Sequence, residues 1–195
     1  MTDQLQVWKE GFGKDYTDRN YVDWRIRIPL FNSILEGLSL DTILEVGCNS
    51  GHNLKTLQYI LPKARVWGIE PNEYALDLAW EQGLNVLYGD ASDLIFDNKY
   101  FDLVFTIGVL IHIPIEQLPT ALEEIYRVSK KYILAMEYYS IVDTPITYRG
   151  RSELLWKRDF KNHYLTQFPY LKVIKRGVIN METLDRMNYW LFEKV

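Results

Sequence analysis

The run Ile43-Leu44-Glu45-Val46-Gly47-Cys48-Asn49-Ser50-Gly51-His52-Asn53-Leu54 restricts the folding options of this chain more than any other segment. Its opening residues read as a buried strand that closes on a carboxylate, and a helical pattern begins at Asn53. Between them Gly47 and Gly51 permit a tight strand-to-helix reversal, because a missing Cβ lifts the steric bar on positive φ and on close approach. Asn49 stands where a middle glycine is usual, and asparagine tolerates left-handed backbone better than most residues. A dinucleotide loop reads G-x-G-x-x-G, but the frame from Gly47 places Asn49 and His52 at its third and sixth positions. No Gly-Lys-Ser/Thr follows, so the phosphate-cradling P-loop is excluded as well. Glu45 beside the turn suits a cationic ligand group, and the free N–H groups that open the next helix suit a carboxylate.

Three further strands with acidic or glycine tips follow in α/β alternation. Residues 66–69 end at Glu70, placed to accept from two ribose hydroxyls, and are followed by Pro71-Asn72 and a helical pattern over 73–81. Residues 86–90 form a third strand closing on Asp90, with Ala91 and Ser92 beyond it; an N-cap role is the alternative for this aspartate. Residues 100–108 make a fourth strand through Ile107, running on into His112 and Pro114. A fifth strand over 132–136 ends at Glu137, and helices are expected over 27–37, 53–60 and 116–128. The apolar stretches 172–179 and 187–193 suit an antiparallel pair that closes the sheet.

The chain has 195 residues, 48% of them hydrophobic, and net charge −4, which fits one domain able to bury a substantial core. That domain divides into an N-terminal segment over 1–40, a core over 41–137 and a substrate-side segment with closing strands over 138–195. No apolar run approaches the roughly 20 residues of a membrane span, and residues 1–4 lack signal character, so a cytoplasmic location is expected. A lone cysteine, Cys48, and scattered His52, His112 and His163 predict no metal site. Residues 146–176 carry eight Lys/Arg against Glu153 and Asp159, a local +6. Overall acidity argues against a nucleic-acid partner, leaving a small anion or a solvated face to explain the cluster.

On these motifs the chain resembles the class I S-adenosylmethionine-dependent methyltransferases. The resemblance implies a doubly wound Rossmann-like sheet with a C-terminal antiparallel strand pair, and S-adenosyl-L-methionine as cofactor. It assigns cofactor contacts to Glu45, Gly47, Asn49, Gly51, Glu70, Pro71, Asp90, Ala91, Ser92 and Ile107, with Asp90 at the adenine amino group. Two flanking segments, residues 8–20 and the stretch from Tyr148-Arg149-Gly150-Arg151 to Leu155-Trp156-Lys157-Arg158-Asp159-Phe160, are similar to the methyltransferases associated with pseudaminic acid biosynthesis. That likeness implies a lid in which Tyr16, Arg19 and Asn20 cover the cofactor, mobile until it binds.

Methyl transfer is an in-line displacement, so positioning in a dry pocket supplies most of the acceleration and few catalytic groups are needed. For a hydroxyl acceptor the candidate general bases are His112 and Glu137. A structural histidine, and a Glu137 paired with Arg149 or Arg151, are the alternatives. Tyr138 and Tyr148 could stack on an acceptor, and Arg149, Arg151 or Arg158 could hold a carboxylate through a bidentate fork. The expected acceptor is thus small and anionic, a sugar acid. A protein or small-amine methyltransferase, a nicotinamide enzyme and a non-catalytic cofactor-binding module are the other readings, and the oligomeric state is open.

Overall fold

A computed structural model describes residues 3–181 and 184–195. In chain order it holds α1 (Asp3–Lys9), α2 (Gly11–Arg19), a 3₁₀ turn (Trp24–Arg27), α3 (Ile28–Leu35), β1 (Thr42–Val46), α4 (His52–Ile60), β2 (Arg65–Glu70), α5 (Glu73–Glu81) and β3 (Asn85–Tyr88). Then come β4 (Phe101–Ile107), a second 3₁₀ turn (Leu110–His112), α6 (Leu118–Val128), β5 (Ser129–Glu137), β6 (Thr144–Pro145), β7 (Trp156–Lys157), α7 (Phe160–Gln167), β8 (Leu171–Met181) and β9 (Leu184–Lys194). Residues 1 and 2 of the N-terminal stretch read for signal character lie outside the described residues.

The main sheet has the order β3-β2-β1-β4-β5-β9-β8. The first five of these strands run parallel, and β9 is antiparallel to both β5 and β8. This is a Rossmann-like methyltransferase fold closed by the expected antiparallel pair. Strand periodicity sends alternate side chains to opposite faces. Leu44 and Val46 join a cluster with α6 and α7, whereas Ile43 joins one with α3, α4 and Ala79 of α5. Helices therefore cover both faces, as parallel strands require.

Departures from the expected elements have local causes. The helix anticipated over 27–37 opens only at Ile28 with a proline in its first turn, and the one over 116–128 begins at Leu118 for the same reason. The third strand leaves the ladder at Tyr88, because Asp90 turns to accept from the Ser92 backbone N–H at 2.9 Å. The basic region contains α7, whose first turn is capped by Asp159 accepting from Asn162 N at 3.0 Å. Residues 8–20 are mainly helical, and Gly13 lets α1 and α2 meet: a Cβ there would lie 1.9 Å from the Trp8 carbonyl oxygen.

Candidate active site

The parallel strands end on one cavity of about 210 Å³, roofed by α1 and α2. Its floor is the β1 turn. Gly47 adopts φ 76°, and Gly47 N and Cys48 N both donate to Ile69 O, at 2.8 and 3.0 Å. Asn49 has φ 48°, the left-handed geometry its sequence position called for. A Cβ on Gly47 would lie 2.5 Å from a Val109 methyl, so the glycine lets the β1 and β4 loops meet.

Glu70 at the β2 tip accepts from Asn49 N at 2.8 Å and Asn72 N at 2.9 Å, one on each oxygen. Burial pushes its carboxyl up to about 7, against the pull of those two N–H groups. Each oxygen keeps a lone pair for a ligand hydroxyl. Deeper in, Arg27 donates to Asn53 Oδ1, and Asn53 Nδ2 donates to Glu45. Glu45 is 1% exposed, and burial raises it to about 8 although Asn53 and Arg27 lower it. Glu45 Oε2 and Arg27 Nε are buried without a hydrogen-bond partner.

Asn72 ties the roof to this floor. Its Oδ1 caps α5 by accepting from Ala75 N at 3.1 Å, while Nδ2 donates to the carbonyls of Trp8, Lys9 and Glu10 where α1 ends. Asn49 adds a second tie, donating to Thr17 Oγ1 at 2.9 Å. Asn72→Ala should therefore cost about 1–2 kcal/mol through the lost caps, with faster amide exchange in α1 and α2. Unchanged exchange across residues 3–19, followed by mass spectrometry, would show that other contacts hold the roof.

Tyr16, Asn20, Glu45, Gly47, Asn49, Glu70, Pro71, Asp90, Ala91, Ser92, Ile107 and His112 all line the cavity. Arg19 does not; it is exposed on α2. Gly51 also lies outside the lining, since its missing Cβ faces Leu84 Cδ1 at 2.2 Å and lets the start of α4 pack on the connection between α5 and β3. Glu137 is fully buried beneath the second 3₁₀ turn, accepting from the backbone N–H groups of Val109, Leu110 and Ile111 at 3.2–3.3 Å. These backbone donors and the neighbouring Thr106 hydroxyl, not Arg149 or Arg151, are its partners, so it anchors the turn that carries His112 and lies outside the cavity lining.

The proposed acceptor-side residues also separate. Arg158 is 1% exposed, donating to Ile113 O at 2.6 Å and facing Asp143 at 3.4 Å, which makes it a brace between loops. Tyr138 packs on the core beside Lys157. Arg149 (φ 52°) and Gly150 (φ 78°) form the exposed tip of a turn closed by Tyr148–Arg151 backbone bonds. Arg151 sits 5.7 Å over the Phe12 ring. Gln4, Trp8, Arg27, Asn53 and Asn72 join the lining without having been singled out as site residues. Of these only Asn72, an asparagine just before a helical run, carried a local signal.

Residues 43–132 match the family described as the methyltransferase domain. A tRNA U34 carboxymethyltransferase of Idiomarina loihiensis is 31% identical over 126 residues, covering 57% of this chain and 38% of that protein. The one from Nautilia profundicola is 28% identical over 123 residues, with 56% and 39% covered. The chain thus spans less than two fifths of the length of these curated relatives. Among solved structures, a Pyrococcus horikoshii protein superposes with TM-score 0.73 at 17% identity, covering 97% of this chain and 99% of that one. Magnesium protoporphyrin IX methyltransferase from Synechocystis, solved with bound SAM, gives 0.72 at 13% identity, covering 100% and 99%. Both share this fold. Among the described residues no helix is long and apolar enough to cross a membrane, and no group of three or more His, Cys, Asp or Glu is placed to hold a metal ion.

Proposed function

We propose that this protein is an S-adenosylmethionine-dependent methyltransferase acting on a small acceptor. The observation that carries the reading is the opposed pair of unpartnered buried atoms, Glu45 Oε2 and Arg27 Nε, at the β1 end of the cavity. Buried polar atoms are nearly always satisfied, and an ammonium with a neighbouring carboxylate satisfies both. Glu70 then has one lone pair per oxygen for the ribose hydroxyls, and Asp90 stands farther along the sheet for the adenine amino group. The cofactor supplies a methyl group on a positively charged sulfur. Among the described residues the lining sets three carboxyl groups, Glu45, Glu70 and Asp90, against a single cation, Arg27, which gives a pyrophosphate little to bind and disfavours a nicotinamide dinucleotide.

The roof formed by α1 and α2 covers part of the cavity mouth, which favours a small acceptor. A sugar acid held by Arg149 or Arg151 would have to bind at the exposed 148–151 turn, outside the lining, and Arg158 is committed elsewhere. The tRNA-directed names of the two curated relatives favour a second reading, a nucleic-acid acceptor, which needs the roof to open. Calorimetry tests the cofactor assignment: S-adenosylhomocysteine should bind at least about 100-fold more tightly than NAD, roughly 2.7 kcal/mol. Equal or reversed affinities would end the reading.

A further inference from the structure

With the cofactor read along β3, β2 and β1, the sheet order β3-β2-β1-β4 leaves the β4 end of the cavity to the other reactant. Leu5, Trp8, His112, Ile113 and Pro114 wall this end. The walls are mostly apolar or aromatic, with Gln117 a polar side chain beyond Pro114 and the Trp8 and His112 ring centroids 4.4 Å apart. Two hydrogen-bonding atoms here are buried without a partner, the Trp8 indole N–H and the Gln4 side-chain oxygen. Gln4 itself is 8% exposed, and its amide nitrogen is already spent on the His112 carbonyl. One donor and one acceptor are left, and a single hydroxyl can satisfy both.

His112 adds the third group. Its Nδ1 lies 2.6 Å from the Leu154 carbonyl oxygen, which can only accept, so Nδ1 carries the proton and Nε2 keeps a free lone pair. Among the described lining residues Arg27 is the one lysine or arginine, and the cofactor reading places it at the β1 end.

We propose that the acceptor is a small, flat, uncharged molecule whose nucleophile is a phenolic or enolic hydroxyl set against His112 Nε2, with a second hydroxyl bridging the Trp8 N–H and the Gln4 oxygen. The inference rests on the methyltransferase reading. The acceptor oxygen forms the bond to the methyl carbon, the carbon–sulfur bond breaks with its electron pair kept by sulfur, and the hydroxyl proton passes to Nε2 and then to solvent. The Trp8 and His112 rings select a flat acceptor, and the weakness of this base agrees with that choice. Burial holds His112 at about 4, roughly 6 units below a phenol near 10 and about 12 below water near 15.7, the nearer guide to an alkyl alcohol. A sugar hydroxyl gains little from such a base; a phenol gains more.

The test uses the whole protein, loaded with S-adenosylhomocysteine and then titrated calorimetrically with catechol, with trans-1,2-cyclohexanediol and with 2-hydroxybenzoate. Catechol should bind at least about tenfold more tightly than either competitor. Trp8→Phe, which keeps a ring but loses the N–H, should weaken catechol about tenfold while leaving S-adenosylhomocysteine affinity unchanged. Gln4→Met, similar in length but without the amide oxygen, gives a second variant with the same expectation. The loaded protein ignoring catechol, binding the diol or the anion equally well, or showing no loss in either variant overturns the assignment alone. Failure of S-adenosylhomocysteine to bind in the first titration removes the cofactor reading and this inference with it.

Discussion

Glu70→Gln should bind S-adenosylhomocysteine about 10–100-fold more weakly than the unmodified protein at pH 8, and should do so without losing its fold. Both Glu70 oxygens already accept a backbone N–H, from Asn49 and Asn72, and each has one lone pair left for a ribose hydroxyl. Hydrogen bonds to a charged group are worth about 1.5–3 kcal/mol each net. The glutamine keeps one acceptor oxygen, but its NH₂ cannot accept and would face a backbone donor. A pH dependence distinguishes this from a packing defect. Because burial lifts the Glu70 carboxyl to about 7, the ionised form that accepts hydroxyls is lost below neutrality, and affinity should fall between pH 8 and pH 6. The variant has no such proton to shed, so this part of its binding should be flat. Calorimetry at the two pH values reads both effects, and equal affinities for a folded variant would place the ribose elsewhere.

The floor of the cavity was legible because its signals are local. An apolar run ending in an acid and a positive-φ residue after Gly47 identify a strand tip and its turn whatever packs on top, and Asn49 and Glu70 take those positions. Carboxylates at strand tips were harder to tell apart. Glu45, Glu70 and Glu137 read alike in sequence, yet Glu137 lies under the turn that follows Gly108 and meets three N–H groups instead of a ligand. That difference depends on how the β4 loop folds back over β5, a contact about 28 residues away. Charge counting failed for a related reason. A basic cluster registers Arg158 as surface charge, although Ile113 O, Asp143 and the Trp156 ring together allow the guanidinium to be buried. Arg27, Gln4 and Trp8 reach the cavity only because α1, α2 and the first 3₁₀ turn dock over it.

Without ligand the protein should lose stability between pH 6.5 and 8.5, and Glu45→Gln should remove much of that loss. Glu45 titrates near 8 in the folded chain against an ordinary 4.5, so the folded state holds a proton that the unfolded state has released. A raised carboxyl contributes stability that is complete below 4.5 and declines as the pH climbs toward 8. Over pH 6.5–8.5 this one group accounts for about 2 kcal/mol at 1.36 kcal/mol per unit. Glu70 and Glu137, both near 7, add to the decline. His52 and His112, held near 4, are neutral throughout and oppose it mainly below 6.5; Lys194, lowered to about 8, offsets part of it at the upper end. Comparing the denaturant midpoints of the two proteins at both pH values isolates the Glu45 contribution from these common ones. Saturating S-adenosylmethionine should flatten the unmodified protein's profile too, because an ammonium beside Oε2 favours the ionised carboxylate and lowers its pKa. Should Glu45→Gln keep the full pH slope, the buried carboxyl is ionised by Arg27 alone, and the site for the ammonium lies elsewhere in the cavity.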